Sequence, residues 1–221
     1  MIKKSGGEDY DIEAKVDILW KDSQFIKPKN YKKKFELIQL KDSKYKFILV
    51  HDPQTLTEGI EFRVKYGFNT QLIDGFAHYT EHIFFHGTEK ISHFNISSLI
   101  GQYDEFSNAY TSYDETVFEF FGSNYTFEKV LDYLSQFIQK PVLNETQSII
   151  ELNAVTSEYD NYNYSLWNIF QILYENGNPE HGFSQTVTGH TGNNMTLGNL
   201  RKEKLTYHLK NYLNTIFRSE N

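Results

Sequence analysis

The chain has no cysteine among its 221 residues. That excludes a disulfide framework and any thiolate-bound zinc, and it is compatible with a reducing compartment. No apolar run approaches the ~20 residues that carry a helix across a bilayer. No secretory leader is expected, because no apolar core follows Lys3 and Lys4. Acidic residues come early, at Glu8, Asp9, Asp11 and Glu13, unlike a mitochondrial transit peptide. These absences lead us to expect a cytoplasmic location. Basic residues are in deficit: 22 Lys and Arg stand against 29 Asp and Glu, a net charge of −7. That balance argues against a general nucleic-acid binder. The basic stretch from Lys27 to Lys34 is local, and reads as a solvated approach to a strand. No internal repeat, coiled-coil pattern or clear linker is visible.

What is present is enough for one domain with a buried core. Hydrophobic residues make up 39% of the chain, and 18 Phe and 16 Tyr carry much of that content. Residues 1–30 read as a polar arm or an early strand, and residues 31–221 as the domain proper. Phe35–Leu40 and Tyr45–Val50 have strand character and are joined by a short turn. Gly59–Tyr66 alternates as a third strand. Ile73–His86 has helical spacing, and a helix is expected around Asn95–Tyr103. Ser107–Ser112 and Thr116–Phe121 read as paired strands, and Phe127–Lys140 as a helix. Asn144 caps a long helical stretch that runs to near Tyr174, and Leu200–Phe217 is a last helix. Strands followed by helices, with hairpins, indicate an α+β domain.

The most informative segment is His78-Tyr79-Thr80-Glu81-His82. Residues four apart share a helix face, so both imidazoles can point at one metal ion. Glu81 lies on the same side, where a metal-bound water would sit. The order H-x-x-E-H reverses the commoner H-E-x-x-H motif of zinc hydrolases. With 8 His and 18 Glu in the chain, the pattern arises by chance in roughly one such chain in forty, so its helical context has to add weight. The competing reading is an ordinary solvated helix face. A catalytic zinc site needs a third protein ligand and leaves a fourth position to water. One short helix cannot surround an ion, so that ligand is expected from Glu151 to Glu158. These two carboxylates are seven residues apart, close to two helical turns, and project from one face.

Four segments together resemble the pitrilysin/insulinase family of inverted-motif zinc peptidases. Gly75–Glu89 is similar to the family's G-L-x-H-x-x-E-H-x-x-F-x-G-T signature, and Ser107–Thr111 to its S-N-A-[FY]-T strand. Glu151–Glu158 is similar to E-x-N-A-V-x-S-E, and Asn178–Ser184 to N-P-x-H-P-F-S. The last, with Asn153–Ser157, favours the insulin-degrading branch. The resemblance runs from about Phe35 to near Arg218. It implies a mostly antiparallel sheet packed by helices on one side. It implies His78, His82 and Glu158 as zinc ligands, Glu81 as the base acting on a zinc-bound water, and Glu151 as a supporting carboxylate. Ser107, Asn108, Ala109, Tyr110 and Thr111 are implied as the strand that receives peptide substrates. The implied activity is that of a zinc metalloendopeptidase acting on peptides.

The chain also departs from the pattern. Asp104 and Glu105 stand where the family has two glycines, and would narrow or re-charge the cleft. His86 stands where the family more often has an apolar residue; it is expected to be a surface or packed histidine rather than a ligand. Gly182 replaces a proline, with no obvious catalytic meaning. Relatives of this branch build a chamber from four related domains, so the chain is expected to be C-terminally truncated. Its partner is then a missing C-terminal half or a second subunit. The alternative to an active peptidase is a zinc-binding but inactive fragment or regulatory subunit that needs that half.

Overall fold

The computed structural model describes residues 15–43, 45–71, 73–91, 101, 106–162, 167–184 and 205–217. The helix expected at Asn95–Tyr103 and the acidic pair Asp104-Glu105 lie outside them, except for Gly101. The chain divides into two compact units between Thr55 and Leu56.

The first unit is a three-stranded antiparallel sheet in the order β1 (Val16–Trp20), β2 (Lys34–Leu40), β3 (Lys46–His51). Phe35 pairs with Val50 and Ile38 with Phe47, and a register shift lies between Ile18 and Trp20. Trp20, Phe25, Phe35 and Tyr31 form a chain of ring contacts, with centroids 5.5, 5.6 and 6.0 Å apart in turn. The polar stretch before residue 31 thus contains a strand.

The second unit carries the motifs. Its sheet has the antiparallel order β4 (Glu58–Val64), β6 (Thr116–Gly122), β5 (Phe106–Thr111). β5 is therefore an edge strand among the described residues. Alternation sorts the side chains. Ile60, Phe62 and Val64 share a face with Phe118 and Phe120 of β6 and with Ser107, Ala109 and Thr111 of β5.

Helices cover that face. The motif helix α1 spans Phe76–Phe84 and buries seven of its nine side chains. The spacing predicted a longer helix over 73–86. Gly75 takes φ 83 just before the first turn, a left-handed conformation that favours glycine. Gln71 reaches forward and accepts the Ala77 N–H at 3.0 Å, which satisfies one of the free donors of the first turn. At the other end, Tyr133 accepts the Gly87 N–H at 3.2 Å and donates its hydroxyl to the Phe84 carbonyl. That tyrosine belongs to α2 (Asn124–Gln139). Phe84 stacks on Phe118 with ring centroids 4.0 Å apart and lies 4.7 Å from Phe137.

The glutamate-bearing stretch is described as α3 (Glu145–Tyr162) and α4 (Trp167–Glu175). Leu152 and Val155 of α3 are buried in the core with Tyr79, Ile83 and Leu209. The last helix, α5, spans Leu205–Ile216. Two of its free N-terminal donors are met by Glu145: Oε1 accepts the Leu205 N–H at 3.0 Å, and Oε2 accepts the Thr206 N–H at 3.2 Å and the Thr206 hydroxyl at 2.7 Å. A carboxylate at a helix N-terminus gains from both the hydrogen bonds and the helix dipole. Glu145→Ala is expected to destabilise the protein by about 1–2 kcal/mol. The check is the urea midpoint, and an unchanged midpoint would refute the capping role.

Candidate metal centre

α1 and α3 pack with Tyr79 at their interface. Its ring is fully buried, and its hydroxyl donates to the Ser148 carbonyl at 2.7 Å. This contact turns the His78 and His82 face of α1 toward the Glu151 and Glu158 face of α3. The His78 Nε2 lies 3.3 Å from Glu158 Oε2, and the His82 Nε2 lies 3.5 Å from Glu158 Oε1. The two rings meet edge-on, 4.8 Å between centroids. One donor atom from each of His78, His82 and Glu158 lies within 4.8 Å of the others. Among the described residues, this is the group of three whose donors could hold a metal ion.

The donor chemistry fits zinc. Two imidazole nitrogens and one carboxylate oxygen make a three-ligand set that leaves a further position open. The orientation of His82 fits as well. Its Nδ1 sits 3.2 Å from Glu151 Oε2 and keeps a proton there, so a metal would bind through Nε2, the atom that faces Glu158. The other oxygen of Glu151 lies 3.3 Å from Nε2 of His86, which is buried.

Burial and charge pull these groups apart. Burial disfavours charge on His82, but the carboxylates of Glu151, Glu158 and Glu81 outweigh it and raise the ring to about 9. His78 is pushed down, first by burial and then by the neighbouring His82. Glu151 is drawn down to about 2 by its bonds to His82 and then His86. Glu158 is also lowered, chiefly by His82. Glu81 goes the other way. Its burial raises it to about 7, against the hydroxyl of Thr111, which donates to Oε2 at 2.7 Å.

The expected substrate strand is β5. Ser107, Ala109 and Thr111 are half-buried on the helix-facing side, and Asn108 and Tyr110 are exposed on the other. Sequence reasoning placed Thr111 on this strand but not against Glu81; no local pattern joins residues 30 positions apart. It also left His86 without a partner, although the same i, i+4 spacing that links His78 to His82 links His82 to His86. The structure supplies a reason for Gly182. A Cβ there would stand 2.3 Å from the Asn69 carbonyl oxygen, so only glycine fits. The glycine in place of proline is a steric requirement of this loop.

The sequence profile of the family described as Insulinase (Peptidase family M16) matches residues 46–189, which include all these groups. The chain belongs to that family. Members of the insulinase family with similar sequences include the mouse insulin-degrading enzyme, 31% identical over 200 residues that cover 86% of this chain and 20% of the relative. The A-factor-processing enzyme of Saccharomyces cerevisiae is 33% identical over 186 residues, 81% of this chain and 17% of the relative. The crystal structure of pitrilysin superposes with a TM-score of 0.78 at 23% identity, over 88% of this chain and 21% of that one. The α+β fold, with antiparallel sheets and helices covering one face of the second, is thus that of the insulinase family. The chain spans about a fifth of the length of the curated relatives it matches.

The His82–Glu151 pair has a definite pH signature in chelator-treated protein. Raising His82 from 6.5 to about 9 gives stability that is full below pH 6.5 and lost as pH rises through about 9. Lowering Glu151 from 4.5 to about 2 gives stability that is full above pH 4.5 and lost as pH falls through about 2. The gap in stability between wild type and Glu151→Gln is therefore expected to be widest from pH 4.5 to 6.5. There it should reach about 1–3 kcal/mol, as for hydrogen bonds to charged groups. Thermal melts across pH check this; a gap independent of pH would contradict the pairing.

Proposed function

We propose that the chain forms the catalytic centre of a zinc-dependent metalloendopeptidase, with His78, His82 and Glu158 as the metal ligands. The carrying observation is the convergence of these three donors, from two helices, beside the half-buried Glu81. Zinc held there would polarise a scissile carbonyl and acidify water.

Glu81 is the general base. With its carboxyl raised to about 7, it is poised to take a proton near neutral pH and to give it back. Thr111 engages Oε2 and so fixes which oxygen, Oε1, is left to handle the proton. Glu81 accepts a proton from the attacking water and delivers it to the departing amine. Glu151 holds the His82 ring in place and takes no part in the proton transfer. The edge strand β5 receives the substrate as an added strand. Backbone hydrogen bonds along Ser107–Thr111 supply affinity, and alternate side chains supply preference. Extended, unfolded peptides suit such an edge.

A second reading draws on the short span of this chain relative to its relatives. In it the chain holds zinc but cleaves only together with further polypeptide. Stabilisers of a developing oxyanion are worth about 10²–10³-fold each, so their supply from elsewhere would decide the rate. One experiment separates the two. The purified chain should bind about one zinc, as a three-ligand site predicts, and should cleave a quenched fluorescent peptide in a chelator-sensitive way. Glu81→Gln should keep the zinc and lose about 10²–10⁴-fold in rate. Zinc uptake without cleavage, with activity restored by a separately expressed C-terminal half, would favour the second reading. Failure to take up zinc would sink both.

A further inference from the structure

The histidine that follows the motif helix is a buried polar group that the proposed chemistry does not use. We infer that His86 is a positioning residue for the metal centre, acting through Glu151 on the orientation of the His82 ring. The inference rests on the reading of His82 as a ligand.

Three observations carry it. His86 is only 7% exposed, although it lies past the last turn of α1. Its Nε2 is 3.3 Å from Glu151 Oε1, while Glu151 Oε2 is 3.2 Å from His82 Nδ1. Each carboxylate oxygen therefore meets one ring. A carboxylate held by one oxygen can still rotate about its last side-chain bond; one held by both is fixed in its plane. With that plane fixed, the His82 ring has one orientation that keeps Nδ1 on Glu151, and in it Nε2 faces Glu158 at 3.5 Å. His86 is also separate from the metal group itself, which consists of His78, His82 and Glu158. Its contribution is to keep a ligand aimed, a role that outer carboxylates and their partners commonly play in metal sites.

The test compares two amides at one position. His86→Gln places a side-chain nitrogen about as far out as Nε2 and can still donate to Glu151 Oε1. His86→Asn buries the same amide one carbon short of it. Zinc affinity is read on the full chain by competition with a chromophoric chelator. His86→Asn is expected to weaken zinc binding about 10-fold or more, within the range for outer-shell partners of about 10–100-fold. His86→Gln is expected to restore most of it. In a Glu151→Gln background, where the relay is already cut, adding His86→Asn should change the affinity little. Equal affinities for wild type and both His86 variants would overturn the inference while leaving the ligand assignment standing. So would an undiminished effect of His86→Asn in the Glu151→Gln background. A wild-type chain that takes up no zinc would remove the ligand assignment, and this inference with it.

Discussion

The packing of α1 on α3 is the constraint from which the rest follows. Neither helix alone brings more than two of the candidate donors together. α1 offers two rings on one face and α3 two carboxylates on one face, and only their contact makes a site. The contact is held by apolar burial, with Tyr79, Ile83, Leu152 and Val155 all excluded from water. A directed bond from the Tyr79 hydroxyl to the Ser148 carbonyl orients it, together with the contact of His82 Nδ1 with Glu151. Hydrophobic burial is strong but non-directional. The buried hydroxyl, which costs free energy if left without its acceptor, selects one arrangement among several that would bury similar area. The contacts then run in opposite order along the two elements: His78 meets Glu158, His82 meets both acids, and His86 meets Glu151.

Three glutamates within this small volume have different properties because their surroundings differ. Glu81 is half-buried and largely desolvated, and its one neutral donor, Thr111, does not offset this, so its proton affinity rises. Glu151 lies between two rings, and its proton affinity falls. Glu158 faces His78 and His82 with its two oxygens and stays ionised. Such separation of like groups is what the proposed acid–base chemistry needs. His78, lowered to about 4, is neutral near pH 7 beside a charged His82, and a bound cation would take the place of a proton on His82.

Much of this was legible in the sequence. The i, i+4 spacing of His78 and His82 and the seven-residue spacing of Glu151 and Glu158 are local, and helical geometry turns them directly into faces. The strand Phe106–Thr111 alternates in exposure and pairs with Thr116–Gly122 in the expected hairpin. Boundaries were less legible. The helix around the motif begins three residues later than its apolar spacing suggests, because Gly75 is left-handed. The helix after β6 begins three residues earlier, at Asn124, directly after Ser123. What the sequence could not show were the long-range partners: Thr111 with Glu81, Glu145 with the start of α5, and Asn69 against Gly182. Each joins segments whose proximity is decided by tertiary packing, which leaves no periodic trace.

The link from Thr111 to Glu81 has a consequence for how binding and chemistry are joined. Thr111 is the last residue of β5, and its backbone belongs to the strand whose outer edge is open among the described residues. Its hydroxyl lies within hydrogen-bonding range of both Glu81, at 2.7 Å, and Thr116 on β6, at 3.4 Å. The strand proposed to take the peptide and the base proposed to act on it therefore share a residue anchored in the sheet. A peptide that pairs along β5 is registered against the same backbone that holds the base, so its position along the strand determines which of its amides comes nearest Glu81. Under the proposed function, substrate register and proton transfer are then linked through Thr111.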